Sequence, residues 1–235
     1  MKINPFSAVE DYPQMLNKIS AFVTLISLGC VLLLRFRITE IDNFFNGLLV
    51  QVNIFDNPIS LGTVLLAVLI ALISRIIKLH DRISDVMKIR YFFDIYHILI
   101  PMSLLSEANL TSNEIERIKH DRKNIMRDVF YKYATSGGKE VIDKHYITMA
   151  LDQWTWFWIL LEGSVLLVIT AAISYFYKDA FSTSWLLFIV LVSTIVMYFS
   201  YNQSVVYAED EIKLILENDE RKMAIKGVFD ALSSK

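Results

Sequence analysis

A single cysteine among 235 residues, Cys30, excludes an internal disulfide and any metal site built on cysteine ligands. Seven glycines and four prolines are few, and none forms a glycine-rich phosphate loop or a nucleophile elbow. The four histidines, His80, His97, His120 and His145, contain no H-x-x-x-H pair, and there is no Cys–His pairing. No residues for catalysis, a resident metal or another cofactor stand out, so the chain reads as a non-enzyme. His80-Asp81 and His120-Asp121 raise metal-dependent phosphohydrolase chemistry, but inside amphipathic helices such pairs make ion pairs. Intramembrane-protease and lipid-transferase residues are missing too, as are the inverted repeats of an alternating-access transporter.

What is abundant is apolar surface. Hydrophobic residues make up 54% and charged residues 20%, with mean hydropathy +0.43, a mixture expected of membrane spans joined to a water-facing domain. Four segments read as spanning helices: 19–34, 59–74, 154–177 ("WTWFWILLEGSVLLVITAAISYFY") and 185–201. A signal peptide is disfavoured for the first, because its leader holds Glu10 and Asp11 and no small-residue cleavage site follows. Twenty of the twenty-three lysines and arginines fall before the first span, between the second and third, or after the fourth. The positive-inside rule therefore puts both termini and the middle segment in the cytoplasm of an inner-membrane protein.

The expected fold is an all-α integral membrane protein, with four transmembrane helices as two hairpins and an inserted helical cytoplasmic domain. Residues 1–18 form a cytoplasmic segment, 19–74 the first hairpin, 75–150 the cytoplasmic domain, 151–204 the second hairpin and 205–235 a cytoplasmic helix. Within 38–53, Ile38, Ile41, Phe44, Phe45, Leu48, Leu49 and Val52 recur at helical spacing, predicting an external amphipathic helix or an extension of the first span. The second span is expected to run on past Ser74 until Pro101 interrupts it. Thr111 and Glu114 have capping-box spacing, and Gly137-Gly138 reads as a helix end. Residues 75–150 carry thirteen basic and ten acidic residues, which suits anionic lipid headgroups and is too balanced for nucleic acid. Arg117, Lys119, Arg122, Lys123 and Arg127 form the candidate face for an anionic ligand or partner.

Glu162 is costly in lipid, so it must turn inward or meet water. It lies roughly 12 Å along the helix from Trp154, which with Trp156 and Trp158 marks the cytoplasmic interface. Ser193 and Ser200, on one face of the fourth span with Ser204, are its expected partners. Ala67, Ala71, Gly163 and Thr170 form small-residue faces suited to close helix contacts and to a homo-oligomer. Glu162 is then either a protonated residue in an interhelical seam or a proton- or ion-sensitive position in a pore or bundle.

With spans around Val23, Leu66, Leu166 and Val190, the layout resembles the small four-helix membrane subunits of bacterial antiviral defence systems. The expected function is a membrane effector or sensor coupling a cytoplasmic signal or protein partner to membrane permeability, and the resemblance implies antiviral defence as its setting. The alternative is a non-conducting scaffold that recruits a soluble partner. Reporter fusions test the topology: both termini and Gly137-Gly138 should read as cytoplasmic and Lys178 as exterior. A cytoplasmic signal at Lys178 overturns the four-span arrangement.

Overall fold

The computed structural model of the chain describes residues 8–46, 51–54, 57–108, 110–134 and 141–232. Leu48, Leu49 and the Gly137-Gly138 helix end lie outside the described residues. The chain is predominantly helical: α1 (Tyr12–Arg37), α2 (Thr39–Asn46), α3 (Leu61–Ile76), α4 (Leu79–Met87), α5 (Ile89–Phe92), α6 (Ile100–Leu105), α7 (Ser112–Met126), α8 (Lys132–Ala134), α9 (Lys144–Phe176), α10 (Ala180–Leu216) and α11 (Asp219–Asp230). Between α2 and α3, β1 (Gln51–Ile54) and β2 (Asn57–Ser60) pair antiparallel, with Gln51 opposite Ser60 and Ile54 opposite Asn57. The helix expected over 38–53 therefore stops at Asn46. Val52 and Ile54 are β-branched, and the pairing of β1 with β2 supplies the backbone bonds that a continued helix would have made.

Three helices, α1, α9 and α10, are long and apolar enough to cross a membrane. The second expected span corresponds to α3, whose 16 residues reach only about 24 Å at ~1.5 Å per residue. It passes the same test only when joined to α4 across a bent break. At that break Lys78 has φ 49, the left-handed region that is costly for a residue with a side chain. A second left-handed residue, Lys88 at φ 55, separates α4 from α5. The continuous helix expected past Ser74 is thus cut twice, and Ile76, Val86 and Met87 along it are exposed.

The described residues divide into two compact units. Pro13–His80 and Thr155–Ser200 form the first. Along α1, Met15, Ile19, Val23, Ser27, Cys30, Val31 and Leu34 make a buried stripe at helical spacing. On α3 the buried residues are Thr63, Ala67, Ala71 and Ser74, all small. Gly163, Thr170, Ala171 and Ser174 are buried on α9, and Thr170 returns its hydroxyl to the Leu166 carbonyl at 2.8 Å. Small residues let helix backbones approach closely. By contrast only 11% of the apolar window of α10 is buried, against 56% for α9.

Ala8–Tyr12, Asp81–Trp154 and Tyr201–Lys235 form the second unit. Its core joins Phe93, Leu99 and Met102 to Ile118, Ile125 and Met126 of α7, Ile212 and Ile215 of α10, and Phe229 of α11. The capping box forms as its spacing predicts, with Glu114 accepting from the Thr111 backbone N–H. Pro101 does not interrupt the helical path. A π-helical turn, Phe93–Leu99, leads into α6, and the Ile100 N–H reaches back five residues to the Ile95 carbonyl. That wider spacing accommodates a proline, which has no N–H and crowds the preceding turn. Another π-helical turn, Arg127–Tyr131, joins α7 to α8. The expected C-terminal helix is split, with Ile212, Ile215 and Leu216 on α10 and Met223 exposed on α11. The Asn218 side chain caps α11 by accepting from the Arg221 N–H at 3.1 Å.

Gly163 provides a direct test of the small-residue packing. A Cβ placed there would lie 2.8 Å from Cδ1 of Ile26, the flexible end of its side chain. Gly163→Ala should therefore cost less than about 1 kcal/mol, and Gly163→Leu on the order of 2–3 kcal/mol by overpacking. Thermal unfolding of both, alone and combined with Ile26→Ala, checks this. Failure of Ile26→Ala to relieve the leucine variant would show that α1 is not the wall it meets.

Candidate functional site

Glu162 is only 2% exposed and lies within the first unit. Its Oε2 accepts from the Ser74 hydroxyl at 2.6 Å. Its Oε1 accepts from the His80 backbone N–H at 3.2 Å and faces His80 Nδ1, also at 3.2 Å. Ser74 and His80 are themselves 6% and 4% exposed. Trp158, one turn before Glu162 on α9, closes the other side, with its ring 6.0 Å from the imidazole.

The break after α3 builds this site. An unbroken helix would spend the His80 N–H on a carbonyl four residues back. Because α4 starts at Leu79, the His80 N–H belongs to a new first turn, where the first four N–H groups have no partner within the helix. A carboxylate at that position also meets the favourable end of the helix dipole. Which atom donates across the Nδ1–Oε1 contact depends on the imidazole tautomer. The cluster is not arranged as a serine nucleophile, because Ser74 gives its hydrogen to the carboxylate rather than to the imidazole.

The partners anticipated on the fourth span differ from those found. Ser193 is half-buried and Ser200 buried on α10, whereas the hydrogen bonds to Glu162 come from Ser74 and His80. Periodicity along α10 identifies a face but not the helix that the face meets. The tryptophans are dispersed. Trp158 is a core residue at 1% exposure, Trp156 packs on Phe22 at 5.0 Å beneath the Lys18 ammonium, and Trp154 packs on Phe93 at 4.6 Å. The His-Asp-Arg tripeptides have unlike surroundings, since His80 is buried on Glu162 and His120 is exposed beside Asp121. Among the described residues no three His, Cys, Asp or Glu side chains gather to hold a metal ion.

Two clamps escaped sequence reasoning. Arg35 donates to Asp42 through Nε and Nη2 at 3.1 and 2.7 Å, and through Nη1 to Ser60 and Thr63 at 2.9 and 2.7 Å. Arg37 grips Asp179 through two bonds of 3.0 Å, and this bonding holds the Asp179 carboxyl below the ordinary range. A positive residue ending an apolar run was the only signal for either.

Together these features define a predominantly helical protein with three helices able to span a membrane and a buried acid–imidazole–hydroxyl cluster. The chain belongs to the YmfE protein family, whose model matches residues 11–230 and so includes Ser74, His80 and Glu162. It is 27% identical over 183 residues to the uncharacterised protein YmfE of Escherichia coli strain K12, covering 75% of this chain and 74% of that one. No solved structure matches it.

In the second unit the candidate basic face is largely engaged. Arg117 donates to the Leu232 carbonyl, Lys119 pairs with Glu116 and Arg127 with Asp128, while Lys123 is exposed. Arg122 turns inward to Asp94 at 2.7 Å, the two side chains being 13% and 14% exposed. Burial pushes the Asp94 carboxyl up to about 6, against the pull of Arg122 and Arg90. The folded state thus holds this proton more tightly than the unfolded chain. Its contribution to stability is complete below the ordinary aspartate value of about 3.9 and is lost as pH rises to about 6. Relative to Asp94→Asn, the wild type should lose on the order of 2–3 kcal/mol across that window and change little above it. Parallel melting curves of the purified proteins between pH 4 and 7.5 measure the difference, and a pH-independent difference would contradict it.

Proposed function

We propose that this chain is a multi-pass inner-membrane protein with four spans, both termini cytoplasmic, acting as an oligomeric sensor or effector. On this reading α3 and α4 together make the second of the four spans, and the second unit receives a cytoplasmic signal or protein partner. The response is a change in membrane permeability, and no enzymatic step is involved. The observation that carries the reading is Glu162, a buried carboxylate that holds the broken ends of α3 and α4 through Ser74 and His80. Adding a proton to the carboxylate removes the charge that these donors meet, and the hold on the break weakens. The exposed apolar surface of α10 supports contact with lipid and with further copies of the chain. An antiviral role follows from the resemblance in layout and is the physiological setting proposed for that response.

The 2% exposure of Glu162 favours a second reading as well, a non-conducting scaffold that recruits a soluble partner. Variants at the cluster separate the two. Gln at 162 keeps the shape without the charge, and Asn at 80 keeps a side-chain donor without the imidazole ring. For the effector, Glu162→Gln and His80→Asn should each alter ion flux into proteoliposomes, both with unchanged oligomer mass. Glu162→Ala should in addition lower stability by about 1–3 kcal/mol for each donor left unsatisfied. Flux equal to wild type in Gln and Asn, with only Ala impaired, would eliminate a pore role for Glu162 and leave it as structural glue; no flux through the wild type would leave the scaffold.

A further inference from the structure

In the first unit, a cavity of about 480 Å³ opens between α1, α2, α3 and the chain just after α9. That is within the range of about 300–1,000 Å³ usual for small-molecule sites. Its walls include Leu34, Leu66 and three aromatic rings, those of Phe44, Phe45 and Tyr177. Glu40 is the one carboxylate among the described lining residues, and it is exposed at the rim.

Charge decides what fits. Both arginines that end α1 are engaged, Arg35 by Asp42, Ser60 and Thr63, and Arg37 by both oxygens of Asp179. An entering anion would meet the Glu40 carboxylate and find those guanidinium groups occupied. A neutral apolar molecule would desolvate Glu40 without compensation. A cation gains from the carboxylate and from the aromatic faces, whose quadrupoles attract positive charge. Phe45 already receives one cation in this way, with Arg35 Cζ 5.4 Å from its ring centroid.

We infer that this cavity binds a free organic cation with an apolar body, its charge at Glu40 and its body against Phe44, Tyr177, Leu34 and Leu66. Tetraphenylphosphonium and its isosteric anion tetraphenylborate are suitable probes, because they differ in charge and hardly in shape. Equilibrium dialysis against the purified full chain should show saturable binding of the cation, at least about tenfold tighter than that of the anion. Glu40→Gln and Phe44→Ala should each weaken cation binding by about tenfold. Both positions are exposed, so melting temperatures should stay at the wild-type value. Binding should also persist in nanodiscs of phosphatidylglycerol, with or without phosphatidylethanolamine. Equal affinity for the two probes, or no effect of Glu40→Gln, would overturn the inference. Loss of binding only when phosphatidylethanolamine is present would overturn it too, by assigning the cavity to a lipid ammonium headgroup.

Discussion

A carboxylate in a low-dielectric interior has to be met by hydrogen-bond donors, and Glu162 sets that demand for the first unit. Leaving such a charge unpaired costs far more than a tight turn does. The donors it finds are the Ser74 hydroxyl and two groups of His80, and the second of these residues is available only because the helix stops after Ile76 and restarts at Leu79. The left-handed Lys78 costs about 1–2 kcal/mol, less than the bonds it makes possible. Around the cluster, Trp158 excludes water while Ala67, Ala71 and Gly163 bring helix backbones close. Polar chemistry and helix geometry in this unit are one constraint.

The second unit resolves its local conflicts differently. Pro101 would crowd a regular α-helical turn, and the π-helical turn before it widens the spacing so that the helical path continues. The basic residues of α7 look like one cationic face when counted along the chain. In space they are engaged locally, with Arg122 drawn inward to Asp94 and the others to nearby oxygens. A cluster of like charges in sequence need not be a cluster of available charge.

Apolar residues also meet different ends on similar helices. Helices α9 and α10 are close in length and hydropathy, yet one is mostly covered within the chain and the other largely uncovered. Composition is identical in kind on both. On α9 the small residues Gly163, Ser164, Thr170, Ala171 and Ser174 are buried, whereas the middle of α10 carries Leu187, Phe188, Leu191, Ile195 and Phe199 outward. An apolar helix that nothing in the chain covers requires either an apolar solvent or another protein surface.

Local patterns were legible without coordinates. The helical character, the three long apolar helices and the Thr111–Glu114 cap are carried by residues close in sequence, whose spacing maps directly onto a helix face. The inward demand of Glu162 was legible as well, because an acid in an apolar run must find partners wherever it folds. Which partners was not: Ser74 and His80 lie 88 and 82 residues away, and their selection depends on which helices become neighbours. The break at Lys78, the Arg35 bonds to Ser60 and Thr63, and the Arg37 clamp on Asp179 share that origin. Each trades a local preference for bonds to residues distant in sequence, and such a trade is decided only when the tertiary structure brings those residues together.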